Sequence, residues 1–197
     1  MEMDRTALLK QKVCELYEVR NPDRADWADW LYENHVFIVT NFASQLADRY
    51  HAKKDLCVAA AMLHDIADVE MKRDNPRHKE ESEAIARKLL KETGFSDEEI
   101  RIVVDDAMRF HSCHNGESPA TLEGKILAGA DALAHLKTDF YKHFVSPMGE
   151  RWTFDEVRER VLPKIERDFG KKILFDDLRE ETRPYYEALK TFFAKQQ

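Results

Sequence analysis

Glycine and proline are scarce, six of each in 197 residues, and no stretch alternates β-branched with polar residues over the length of a strand. That excludes a turn-rich sandwich or barrel and predicts an all-α fold. Cysteine is scarcer still. Cys14, Cys57 and Cys113 stand far apart with no Cys-x-x-Cys pair, which excludes a disulfide scaffold or a short-spaced structural zinc site and predicts reduced thiols. No apolar run reaches the roughly 18 residues of a membrane span. The opening MEMDRTALLK has no signal-like apolar segment, so a cytoplasmic location is expected. Positive charge is in deficit, 31 Lys and Arg against 38 Asp and Glu. A nucleic-acid polymer is therefore not an expected partner, although a cation held in an acidic pocket would reverse the local sign and admit nucleotides.

What the chain does have is helical periodicity. One helix is expected over about residues 4–18. Asn21-Pro22 reads as an N-cap followed by Pro at N1, opening a long helix to about Tyr50. The run Leu56 to Leu63 is apolar and rich in small residues, suited to the middle of a bundle. A helix from about His78 ends at Gly94, and Ser96-Asp97-Glu98-Glu99 forms a capping box with Phe95 and Ile100 as its staple. That next helix carries Ile100, Val103, Val104 and Met108 on one face and ends near His111. Another is expected from about Thr121 through Asp131 to about Phe144. Thr153-Phe154-Asp155-Glu156 is a second capping box, opening a helix to about Phe169, and a last helix from about Asp177 presents Tyr186, Leu189, Phe192 and Phe193. The expected organisation is an N-terminal helical segment (1–27), a central core (28–145) and C-terminal helices packing on it (146–197). The turn Ser146-Pro147-Met148-Gly149 is the candidate boundary.

The chemistry centres on His64-Asp65, which closes the apolar Leu56 to Leu63 run. Burying a carboxylate beside an imidazole is costly unless something positive compensates. A divalent cation compensates and also accounts for His35, on the preceding helix, and for Asp131 in the apolar stretch LAGADAL. Two imidazoles and two carboxylates suit Mn, Fe, Co, Ni or Zn. Taken singly, each of these residues has an ordinary structural role, and the joint pattern carries the reading. His51, His135 and His143 read as satisfied structural residues, and Cys113 and His114 as loop residues. Arg109 is a candidate contact for an anionic substrate, with a helix-surface ion pair as its competing role.

The order His35, then His64-Asp65 within AAAMLHDIAD, then Asp131 within KILAGADAL resembles the HD superfamily of metal-dependent phosphohydrolases. The resemblance spans about residues 28–145, with 28 residues between His35 and His64 and 65 between Asp65 and Asp131. It implies an HD-domain helical bundle in which His35, His64, Asp65 and Asp131 hold a divalent ion (Mn, Fe, Co, Ni, Zn or Mg), with His64 and Asp65 as the catalytic pair. His78 and His111 complete an order similar to that of dinuclear members. They read either as ligands to a second metal, so one or two ions per chain, or as substrate contacts. Two histidines are more than a substrate anion requires, which tilts the reading towards two ions. Asn115-Gly116-Glu117 is not Gly-Tyr-Pro, and Ser112, not a second His, follows His111; HD-GYP chemistry on cyclic di-GMP is not expected. Ala67-Asp68 stands where other members have Gly-Lys, so a phosphate-contacting lysine is missing there. The resemblance implies hydrolysis of a small phosphate ester or anhydride, with a nucleotide as the leading substrate and no membrane partner. A di-iron oxygenase on the same ligands, or a non-catalytic metal- or ligand-binding domain, are the alternatives.

Overall fold

The structure, a computed structural model, describes residues 4–146, 148 and 151–194. No strand occurs among them, and no helix is long and apolar enough to cross a membrane. Helix α1 (Arg5–Glu18) starts at Asp4, whose side chain accepts from the Thr6 backbone N–H at 3.1 Å. It buries Leu9, Val13 and Tyr17 at a regular four-residue spacing.

Three helices form the centre. They are α3 (Phe37–Tyr50), α4 (Lys54–Leu63) and α7 (Leu122–Lys137), and each packs on the other two. In α7 every residue from Ile126 to Leu136 is buried, Asp131 and His135 included. A helix buried all round has no solvent face to give its polar residues, so their partners must come from the protein or from something it binds.

The expected helix from Pro22 does not form. Asn21 Oδ1 accepts from the Asp23 N–H at 2.9 Å, a local turn that competes with helix nucleation. The helix starts instead with α2 (Ala28–Leu31), widens into a π-helical turn at Tyr32–Val36 and continues as α3. The 121–144 helix is also divided. Thr138 is extended, and its Oγ1 donates to the Ala134 carbonyl at 2.5 Å and accepts from the Phe140 N–H at 3.2 Å. These bonds end α7 before the short α8 (Phe140–Val145).

The junction after α5 (His78–Glu92) follows its sequence signals closely. Gly94 has φ +86, the Phe95 N–H reaches the Leu90 carbonyl at 3.0 Å and the Gly94 N–H reaches Lys91 at 3.2 Å. This is a Schellman ending. Ser96 then caps α6 (Asp97–Ile100) with its capping box intact, and the helix widens to π geometry over Arg101–Met108. Thr153 likewise caps α9 (Phe154–Arg167) with a capping box. A third π segment, Asp168–Lys172, and α10 (Asp176–Phe193) complete the fold. In the expected boundary turn, Pro147 and Gly149 lie outside the described residues.

Candidate metal centre

The π turn at Tyr32–Val36 carries His35, and the end of α4 delivers His64 and Asp65. Such widened turns shift side-chain register and recur at functional sites. His64 Nδ1 lies 2.8 Å from the Ala61 carbonyl. A carbonyl only accepts, so Nδ1 carries the proton and the lone pair of neutral His64 is on Nε2. That Nε2 stands 3.3 Å from His35 Nε2, and His35 Nε2 stands 3.2 Å from Asp131 Oδ1. His35, His64 and Asp131 thus form a buried group whose ligand atoms lie within 4.8 Å of one another.

The donor set fits a cation. Asp131 Oδ1 is buried with no hydrogen-bond partner, although His35 Nε2 and His135 Nε2 approach it at 3.2 and 3.3 Å. The lone pair of neutral His64 and the unpartnered Asp131 oxygen converge there, which suits a metal ion, and His64 already donates its other ring N–H to a carbonyl, as metal-bound histidines do. Asp65 is adjacent, its Oδ2 3.3 Å from His64 Nε2, and its side chain is 14% exposed. It is also held by Arg73 at 2.7 Å.

The charge states follow from the packing. Burial pushes Asp131 up, but His135, Lys172 and His35 outweigh it and leave the carboxyl well below its ordinary range. Asp65 is likewise raised by burial and carried well below that range by Arg73 and His64. Burial lowers His35. It would lower His64 too, but Asp65 beside it turns the net shift upward. His111 is pushed down to about 4 by burial, then by His64.

His111 lies with its ring 5.3 Å from that of His64 and its Nδ1 2.6 Å from the Met108 carbonyl, so its Nε2 also presents a lone pair. His78 turns to Asp68, Nε2 to Oδ1 at 2.9 Å. Arg109 grips both oxygens of Glu83, at 3.1 and 2.5 Å, on the rim of the same cavity.

Four residues at the site were not singled out from the sequence as functional. His135, read there as structural, is buried and stacks on His35 with ring centres 4.9 Å apart. Its Nδ1 lies 2.9 Å from Asp168, which also accepts from the Tyr141 hydroxyl at 2.6 Å. Lys172 reaches Asp131 Oδ2 and lies 3.6 Å from Asp168. Arg73 bridges Asp65 and the fully buried Asp68. The only sequence signal for Asp168 and Lys172 is their four-residue spacing, which any surface ion pair shares. Arg73 had no signal at all, being one cation in a polar loop.

A cavity of about 340 Å³ opens over this group, within the size range of small-molecule sites. Trp27, Phe140 and Phe144 form an aromatic part of its wall, and Arg73, Lys164 and Lys172 a cationic part.

Comparison with known proteins agrees with this architecture. A solved structure described as a predicted HD superfamily hydrolase from an uncultured Thermotogales bacterium is 23% identical, with 93% of this chain and 86% of that one covered at a TM-score of 0.59. Selenomethionine YpgQ from Bacillus subtilis is 18% identical, with 95% and 92% covered at a TM-score of 0.64. At these identities the likeness speaks for the fold. No curated protein matches significantly. The HD domain family matches residues 32–136, a span that holds His35, His64, Asp65 and Asp131 and more than half of the sequence, and this chain belongs to the HD-domain family.

Proposed function

We propose that this chain is a metal-dependent phosphohydrolase acting on a small phosphate ester or anhydride, with a nucleotide as the leading substrate. The observation that carries the reading is the convergence of His35, His64 and Asp131 on one buried point beneath a ligand-sized cavity. The aromatic wall of Trp27, Phe140 and Phe144 supports a planar group such as a base, and the neighbouring cations support phosphate.

In this reading His35, His64, Asp65 and Asp131 hold one divalent cation, which when bound acidifies water and screens the phosphoryl oxygens. Arg73 keeps Asp65 ionised, so that Asp65 accepts a hydrogen bond from the attacking water and orients it. His111 has given its Nδ1–H to Met108, and as a neutral ring it accepts from water and does not donate to phosphate. The His78–Asp68 bond and the Arg73 guanidinium beside Asp65 favour a single ion, since Arg73 already supplies the positive charge on that side.

Chelator-stripped protein reloaded with Mn should bind one equivalent per chain by calorimetry. It should release phosphate or pyrophosphate from members of a nucleotide and phosphate-ester panel. Full metal loading with no turnover across the panel would defeat the reading, as would oxygen uptake by the iron-loaded protein without phosphate release.

A further inference from the structure

The cationic side chains around the cavity are not equivalent. Arg73 is tied to Asp65 and Asp68, Arg109 to Glu83, and Lys172 to Asp131. Lys164 leans on Asp168 at 3.4 Å. Arg167, which also lines the cavity, makes no ion pair among the described residues, and its buried Nε has no hydrogen-bond partner. A guanidinium offers five donors in a rigid fork, and leaving the buried Nε–H without an acceptor is unfavourable unless one arrives. Arg167 sits three residues after Lys164 near the end of α9, on the same helical face.

We propose that Arg167, with Lys164 beside it, is a binding subsite for a second anionic group of the substrate, distinct from the phosphoryl group that is attacked. The second group is a phosphate or a carboxylate, either of which a guanidinium fork accepts with two hydrogen bonds. Asp131 and Asp65, which repel anions, are countered by Lys172 and Arg73 within their own pairs. Lys79 also lines the cavity without an ion pair among the described residues, but it is exposed. Arg167 is the unpaired lining cation with a buried, unpartnered nitrogen, and His114 in the same lining feels it: burial first, and then Arg167, lowers that imidazole. Arg167 lies beyond residues 32–136, so the specificity it confers belongs to the C-terminal helices and not to the family-matched core. The proposal rests on the phosphohydrolase reading for the group that is attacked, but its test needs no turnover.

The probes are orthophosphate, inorganic pyrophosphate and phosphonoacetate, titrated calorimetrically in excess Mg so that chelation by the probe is the same for every variant. Wild type should bind pyrophosphate or phosphonoacetate about ten-fold more tightly than orthophosphate. Preference for the first assigns the second group as phosphate, and for the second as carboxylate. Arg167→Gln should erase that preference while orthophosphate affinity stays within about two-fold, and Arg167→Lys should retain part of it. Circular dichroism checks that each variant folds. A wild type with no preference, or an Arg167→Gln protein that keeps it, overturns the subsite. Absence of hydrolysis with the preference intact would count against the phosphohydrolase reading alone.

Discussion

The Nε2 atoms of His35 and His64 lie 3.3 Å apart on side chains 3% and 0% exposed, with Asp131 Oδ1 3.2 Å from the first. In neutral His64 the proton is on the other nitrogen, facing the Ala61 carbonyl. The pair is therefore completed either by a proton on His35 or by a cation, and the unpartnered Asp131 oxygen favours the cation.

That geometry makes metal binding measurable as stability. An ion present at 100 times its Kd adds about 2.7 kcal/mol, which for a chain of this length raises the melting temperature by roughly 5–10 °C. Wild type should show such a rise with Mn, and His64→Ala should lose most of it while keeping its helical circular dichroism. An equal rise in the variant would remove His64 from the site.

Arg73 holds two carboxylates, one of them fully buried. Arg73→Met should cost about 2–4 kcal/mol, because removing one partner strands buried charge, with some relief from the solvent that reaches the guanidinium. Adding Asp68→Asn should recover part of the loss. Urea unfolding of the two single variants and the double variant would show that recovery. Strict additivity would mean that the bridge contributes nothing.

Glu99 accepts from both terminal nitrogens of Arg5, at 2.9 and 2.8 Å, while closing the Ser96 capping box. The Arg5 guanidinium lowers its carboxyl from 4.5 to about 2. A lowered carboxyl stabilises the fold when ionised. The contribution is complete above about 4.5 and fades as pH falls towards about 2. Glu99→Gln should cost about 1–2 kcal/mol at neutral pH. Its difference from wild type should shrink in thermal melts as the buffer is acidified through that window. A constant difference would assign the effect to packing.

Gly94 isolates a backbone effect. A Cβ added there meets no atom within 4 Å, yet φ is +86. Gly94→Ala should therefore lose about 1 kcal/mol through the left-handed C′ position alone, or roughly 2–4 °C in melting temperature. Gly94→Asn, which tolerates that region better, should lose less. Equal losses would point to a contact instead.

Much of this molecule was legible in local pattern. The capping boxes at Ser96 and Thr153 and the Schellman ending at Gly94 depend on a few adjacent residues, and the structure realises all three. The order His35, His64-Asp65, Asp131 was visible because ionisable residues set in apolar helices stand out in one dimension, and the structure brings His35, His64 and Asp131 together. Local pattern failed where two local preferences competed. At Asn21 the side-chain turn prevailed over a helix start, and at Thr138 hydroxyl bonds ended one.

The sequence by itself determined an all-α fold and marked out a candidate metal-binding group, because helix periodicity and burial cost act on neighbouring residues. Tertiary structure decided the partners. It placed Lys172 against Asp131 and Asp168 against His135, joined Arg73 to Asp65 and Asp68, and left Arg167 at the cavity wall with no ion pair among the described residues. A charged side chain on a helix has the same sequence signature whether it faces water, a carboxylate or a substrate. Its environment is set by elements that can be far away along the chain, here Asp131 and Lys172 at a separation of 41 positions, and that choice exists only once the helices have packed.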